Sequence, residues 1–202
     1  MNYQEIQQLV DLPECEIFIG DSLKLGEISL EKNLTINEIS HYHQLNTPHK
    51  QNQFKTIRVL RTNSLGLTEI KYNDYGAPYL FEQKKNISIS HKKNYVIFGH
   101  STFKIGVDIE QISERVKKVK EKFLNETELI EFSNETDEIY TQLWTAKEAI
   151  YKTMITPVSF KNDIKLSKNN NGAIIGKVLN SEKTIQLNYL KIEDYILCYV
   201  LL

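Results

Sequence analysis

Apolar and polar positions follow three different rhythms along this chain, and each rhythm predicts a different element. Residues 15–20 (CEIFIG) form a short apolar run that reads as a strand. From Thr35 to about Ser64 the spacing is that of helices. Thr35-x-x-Glu38 has the form of a capping box, and Pro48 suits the first turn of a second helix. Within that second segment Phe54, Ile57 and Leu60 recur every three residues, and Arg58 and Arg61 keep the same interval one position along. An apolar and a basic stripe therefore lie side by side on one helix.

Beyond this point the punctuation is that of strands. Thr68–Tyr72 predicts a strand, and Asn73-Asp74-Tyr75-Gly76 a turn. Ile87-Ser88-Ile89-Ser90 alternates with period two, as do parts of Tyr95–Phe98 and Ile105–Ile109. Residues 113–132, rich in Lys and Glu, predict a helix, and Thr136–Ile155 predicts a longer one that stops before Pro157. The tail predicts strands at Asp163–Leu166, Ala173–Val178, Thr184–Leu190 and Tyr195–Leu201, with Asn169-Asn170-Asn171-Gly172 as a hairpin turn. This order argues for an α+β fold rather than a doubly wound parallel sheet. An internal echo sets Ile87-x-Ile89 and Tyr95-Val96-Ile97 against Ile185-x-Leu187 and Tyr195-Ile196-Leu197. Either a duplication or two generic hairpins accounts for it.

Composition narrows the class. A chain of 202 residues suits one compact domain or two small packed halves, and 41% hydrophobic with 25% charged residues is ordinary for a soluble globular protein. A net charge of -1 leaves no basic footprint for duplex nucleic acid, although local basic clusters remain able to bind a small polyanion. Cys15 and Cys198 are far apart and fit no zinc spacing, so both are expected as buried free thiols. The first 14 residues lack an apolar signal core, and no run approaches the ~20 apolar residues of a membrane span. A cytoplasmic protein without a membrane or nucleic-acid partner is expected.

Three short motifs carry candidate chemistry. In Gly106-Val107-Asp108-Ile109-Glu110, a strand would project Asp108 and Glu110 from one face, where a hard divalent cation could offset their repulsion. A solvated strand edge with two acids is the plain alternative. In Trp144-x-x-Lys147-Glu148-x-x-x-Lys152, a helix brings Glu148 and Lys152 to one face, which is also what an ordinary surface pair does. Ile89-Ser90-His91 ends a strand in a hydroxyl and an imidazole. A Ser–His nucleophile pair is disfavoured there, because neighbours on a strand point to opposite faces and no GxSxG elbow is present.

Taken in order, Tyr75-Gly76-x-Pro78, Ile89-Ser90-His91, Gly106-x-Asp108-x-Glu110 and Trp144-x-x-Lys147-Glu148-x-x-x-Lys152 resemble the 4′-phosphopantetheinyl transferase superfamily, and most the larger single-chain Sfp type. The match runs from about Tyr75 to Lys152. The resemblance implies two similar α/β halves packed as a pseudo-dimer. Residues 1–104 would form the coenzyme A nucleotide-binding side, and residues 105–202 would carry magnesium and the catalytic helix.

It further implies transfer of the 4′-phosphopantetheine arm of coenzyme A to a serine of an apo acyl or peptidyl carrier protein, as in fatty acid biosynthesis, with release of adenosine 3′,5′-bisphosphate. By the same resemblance Asp108 and Glu148 hold Mg2+, and Glu110 does so directly or through water. Either Glu148 or a water held by Glu110 is the base. Lys147 and Lys152 match the helix lysines of the family, with Lys152 the better phosphate contact, and Ser90 and His91 match its serine–histidine pair near the coenzyme A phosphates. Arg58, then Lys50, are the expected contacts for the nucleotide 3′-phosphate, with Arg61 also available. Ala77 stands where many relatives have lysine, and Lys92 where many have Ser or Thr. The first change leaves Lys84, Lys85 or Lys92 as substitutes. It also keeps open a non-catalytic module that binds coenzyme A or a carrier protein. The basic segment 114–122 could steer an acidic carrier or be a solvated helix face. A monomer is expected.

Overall fold

The structure is a computed structural model that describes residues 6–25, 28–154, 156–179, 181 and 183–202. The chain divides into two compact units, one reaching to Phe103 and one spanning Lys104–Leu202. Both mix helices with antiparallel sheet, the α+β arrangement that the order of elements predicts. No described helix is long and apolar enough to cross a membrane.

The first unit contains β1 (Ile6–Leu12), β2 (Cys15–Asp21), α1 (Ile36–Gln44), α2 (Pro48–Leu65), β3 (Ile70–Tyr72), β4 (Pro78–Leu80), β5 (Asn86–Lys92) and β6 (Tyr95–Ser101). Its larger sheet runs β1-β2-β6-β5 with antiparallel neighbours throughout. Strand β1 was not foreseen, because its sequence IQQLVDL mixes apolar and polar residues without regular alternation and it buries little. Helix α2 packs Ile57 and Leu60 against Phe18, Val96 and Phe98 of the sheet. Thr47 caps this helix by accepting from the Lys50 amide, and Pro48 takes the first turn.

The basic stripe of α2 does not face solvent. Arg58 and Arg61 are buried around Glu38, with Arg58 Nε 3.1 Å from Oε1 and Arg61 Nη2 3.2 Å from Oε2. Glu38 also completes the capping box of α1 and accepts the Ile70 amide of β3. One carboxylate thus ties two helices to a strand, and the lack of water leaves those charges only each other and nearby polar atoms.

The second unit contains β7 (Ile105–Gln111), α3 (Glu114–Lys118), α4 (Lys120–Phe123), α5 (Glu126–Glu131), α6 (Asp137–Lys152), β8 (Ile164–Lys168), β9 (Ile174–Val178), β10 (Ile185–Gln186), β11 (Asn188–Ile192) and β12 (Tyr195–Leu201). Helix α6 lies in the core, where Leu143, Ala146, Ala149 and Ile150 join Cys198 and Val200 of β12. The single helix expected over 113–132 is three short ones. Asn125 ends the run by starting a new capping box with Glu128, so Phe123, Leu124 and Phe132 turn inward. The strand expected at Thr184–Leu190 divides into β10 and β11 around Leu187, and α6 ends at Lys152 rather than at Ile155, which lies outside the described residues. Cys15 and Cys198 are buried free thiols, as composition suggests.

The two units repeat the same local devices. Asn73 and Asn169 close identical turns: each side chain accepts amides two and four residues on, and each turn ends in a left-handed glycine, Gly76 or Gly172. Lys93 and Glu193 turn the β5–β6 and β11–β12 hairpins with φ of 52° and 53°. Glu128 repeats the part of Glu38, capping α5, accepting the Leu166 amide of β8 and pairing with Lys147 of α6. The hairpin registers make Ile89, opposite Phe98, the counterpart of Tyr189, opposite Cys198, so the echo read from the sequence is displaced by two residues.

Replacing Glu38 with alanine strands two buried guanidinium groups. The variant should lose about 3–5 kcal/mol of unfolding free energy, read as a lower denaturation midpoint in urea, with the loss confined to the first unit if the units unfold separately.

Candidate active site

Gly106 sits on the face of β7 that meets α6. A β-carbon there would lie 1.8 Å from the Ala149 carbonyl oxygen, so only glycine admits the helix backbone at this distance. The two neighbours on the same face are Asp108 and Glu110, because strand side chains alternate. Val107 and Ile109 point the other way and are also buried. The close approach at Gly106 therefore brings Glu148, one residue before Ala149, beside the acids of β7.

The electrostatics bear this out. Burial, reinforced by the Asp108 charge, pushes the Glu148 carboxyl up to about 7, while Lys152 opposes the shift and Glu110 adds to it. Lys152, one turn beyond Glu148, places its ammonium 2.8 Å from Asp108 Oδ1 and 2.9 Å from the Val107 carbonyl. Asp108 is buried and Glu110 half-buried, and Glu110 Oε1 accepts the Gln111 amide at 2.9 Å. Asp108, Glu110, Glu148 and Lys152 thus meet as the motif spacing requires. Among the described residues no three His, Cys, Asp or Glu side chains already stand as a closed metal cage. The oxygen-only donor set nevertheless fits a hard divalent cation, and the raised Glu148 reflects burial first and the nearby Asp108 charge second.

Two expected contacts lie elsewhere. Lys147 has no exposed surface, and its ammonium donates to Glu128 Oε2, the Phe160 carbonyl and the Ile164 carbonyl at 2.7–2.8 Å. All three of its protons are engaged in the interior, so it does not offer them to a phosphate. Arg58 is 2% exposed and held by Glu38, with its guanidinium carbon 3.5 Å from the centre of the Phe54 ring. It too belongs to the interior, and Arg61 with it. Lys50 and His91 are exposed in the first unit, whereas Ser90 is buried on the opposite face of β5 from His91. Lys84 is exposed, Lys92 half-buried, and Lys85 lies 3.5 Å from His100 Nδ1.

Trp144 is a packing anchor, edge-on to Phe123 at 5.2 Å and to Phe160 at 5.9 Å. Sequence reasoning missed Glu128 and the crowding at Gly106. The spacing Asn125-x-x-Glu128 was a readable capping box, but the approach of a helix backbone to one glycine leaves no local pattern.

Two outcomes follow from this geometry. Gly106→Ala should cost about 3 kcal/mol, because the clash is with backbone that has no rotamer to escape by, and thermal unfolding measures it. The folded chain binds the Glu148 proton more tightly than the unfolded chain, whose carboxyl keeps a value near 4.5. Its contribution is full below the unfolded value and is lost as pH rises through about 7. Glu148→Gln should therefore gain melting temperature relative to the metal-free parent as pH goes from about 5 to about 8, and a pH-independent difference would refute the assigned environment.

Comparison with known proteins finds relatives of this sequence. The sequence pattern described as the 4′-phosphopantetheinyl transferase superfamily matches residues 104–200. The 4′-phosphopantetheinyl transferase gsp of Aneurinibacillus migulanus is 34% identical over 113 residues, which cover 52% of this chain and 46% of that protein. The chain thus spans about half the length of this curated relative. Similar solved structures include the Helicobacter pylori holo-[acyl-carrier-protein] synthase in complex with coenzyme A, 23% identical over 48% of this chain and 97% of that one, with a TM-score of 0.40. The holo-ACP-synthase of Plasmodium yoelii is 24% identical over 49% and 92%, with a TM-score of 0.39. Residues 104–200, which contain β7, α6 and their four charged side chains, match the 4′-phosphopantetheinyl transferase superfamily.

Proposed function

We propose that this protein transfers the 4′-phosphopantetheine arm of coenzyme A to a serine of an apo acyl or peptidyl carrier protein and releases adenosine 3′,5′-bisphosphate. The observation that carries this reading is the convergence of Asp108, Glu148 and Lys152 at the β7–α6 contact, within the part of the chain that matches the family. Asp108 and Glu148 would hold Mg2+, with Glu110 directly or through water. When bound, the ion supplies charge neutralisation at the pyrophosphate and a template for in-line attack.

The serine oxygen forms a bond to the β-phosphorus, and the bond from that phosphorus to the bridging oxygen breaks, leaving with the bisphosphate. The serine proton passes to Glu148 or to a water held by Glu110. A carboxylate bound to a metal is a weakened base, which favours the water. Lys152, part exposed and anchored on Asp108, supplies positive charge to the phosphates. In the first unit Lys50 and His91 are the candidates for the nucleotide phosphates, since both are exposed. We assign the chain to the single-chain Sfp type with one site per chain, working as a monomer in the cytoplasm.

A second reading, coenzyme A or carrier binding without transfer, draws on Ala77, which keeps its turn through Asn73 but lacks the ammonium of many relatives. One experiment separates the two. Apo carrier proteins incubated with this protein, coenzyme A and Mg2+ should gain the mass of one phosphopantetheine arm. Asp108→Ala should slow this by at least about a hundredfold. Coenzyme A binding with no mass gain on any carrier supports the binding module instead, and normal transfer by the Asp108 variant removes the proposed site.

A further inference from the structure

Lys147 is adjacent in sequence to Glu148, yet its side chain is wholly interior. Its three acceptors belong to separate pieces of the second unit: Glu128 of α5, the Phe160 carbonyl, and the Ile164 carbonyl at the start of β8. Glu128 in turn accepts the Asn125 and Leu166 amides, each at 2.7 Å. This pair joins the N-terminus of α5, the middle of α6 and β8 through directed bonds.

Apolar packing is non-directional, whereas each hydrogen bond to an ammonium has a preferred line. A helix seated only by Leu143, Ala146 and Ile150 has its depth fixed more firmly than its rotation. The Lys147 anchor fixes rotation as well. Successive helix residues are about 100° apart, so the rotation that seats Lys147 inward also sets the direction of Glu148. Lys152, four residues on from Glu148, follows on the same face. Trp144 against Phe123 and Phe160 braces the same segment from the preceding turn.

The geometry points to Lys147 and Glu128 as positioning residues, a buried ion pair that sets the rotation of α6 and thereby aims Glu148 and Lys152 at β7 without touching substrate. The first unit shows the device without the acids. Arg58 and Arg61 of α2 hold Glu38 in the same manner, while strand pairing sets Phe18 where β7 has Asp108. The lock therefore exists independently of a neighbouring carboxylate site.

This inference rests on the transferase reading for its kinetic readout only. Lys147→Met, and the double variant Lys147→Met/Glu128→Gln that removes both buried charges, are compared with the parent. Two things are measured: kcat and KM for coenzyme A, and amide hydrogen exchange along α6 without metal or coenzyme A. Lys147→Met should lower kcat by about tenfold or more while KM for coenzyme A stays within about twofold, and exchange at residues 146–150 should accelerate. The double variant, free of a stranded carboxylate, should recover part of kcat. It also carries the test if the single variant does not fold, with kcat below the parent and KM kept. A large rise in KM with kcat retained overturns the inference in favour of a phosphate contact. A lower melting temperature with kcat and exchange unchanged overturns it in favour of a plain core charge. If the parent transfers nothing to any carrier, the transferase reading fails alone, and unchanged α6 exchange then overturns the positioning role.

Discussion

The contact between Gly106 and the Ala149 carbonyl sets how closely α6 approaches β7. A helix normally keeps its backbone away from a neighbouring strand by the thickness of side chains, and acids on the strand then see only helix side chains reaching across. Removing one β-carbon lets α6 settle onto β7, and the acids of both elements come within each other's field. The cost is visible as the raised Glu148 and as the commitment of Lys152 to Asp108. Charge crowding of this kind weakens a fold unless something positive relieves it. A site of this design is under electrostatic load, and in the proposed function a bound cation would relieve that load.

Much of this was legible in the sequence because it depends on short-range rules. The alternation of β7 put Asp108 and Glu110 on one face, and helical spacing joined Glu148 to Lys152. The Thr35 capping box, the Pro48 helix start and the Asn169–Gly172 turn all formed as local chemistry requires. What could not be read was long-range. Arg58 and Arg61 look like a solvated stripe until Glu38, 20 and 23 residues away, is found between them. Lys147 matches a helix lysine of the family by spacing, but burial decides its role, and burial depends on Glu128 and on carbonyls more than ten residues away. The carboxylates and Lys152 named by the family resemblance lie together, whereas Lys147, Arg58 and Arg61 lie in the interior.

The repeated devices argue that the two units descend from one plan. Shared hairpins alone would be weak support, since hairpins recur everywhere. A carboxylate that caps one helix, accepts a strand amide and neutralises cations of the next helix is a far more specific combination, and Glu38 and Glu128 both have it. Against that common frame the differences fall on chemistry. The Asp108 position is Phe18 in the first unit, and the His91 position is Lys191 in the second. Losing either partner of such a buried pair strands a charge, which constrains Glu38 and Glu128 in a way that does not apply to the positions where the units differ.

The same electrostatics bears on which group receives the serine proton. Glu148 owes its high proton affinity first to burial and then to Asp108. A cation held between Glu148 and Asp108 would oppose the second cause directly and stabilise the ionised form against the first. Glu148 would then be a better ligand and a poorer base, since one carboxylate cannot offer the same electron pair to both partners. Glu110 stands differently. It is less buried, at the outer end of β7, with one oxygen on the Gln111 amide. In the proposed transfer, a cation shared by the carboxylates would therefore move the base role from Glu148 toward a water held by Glu110.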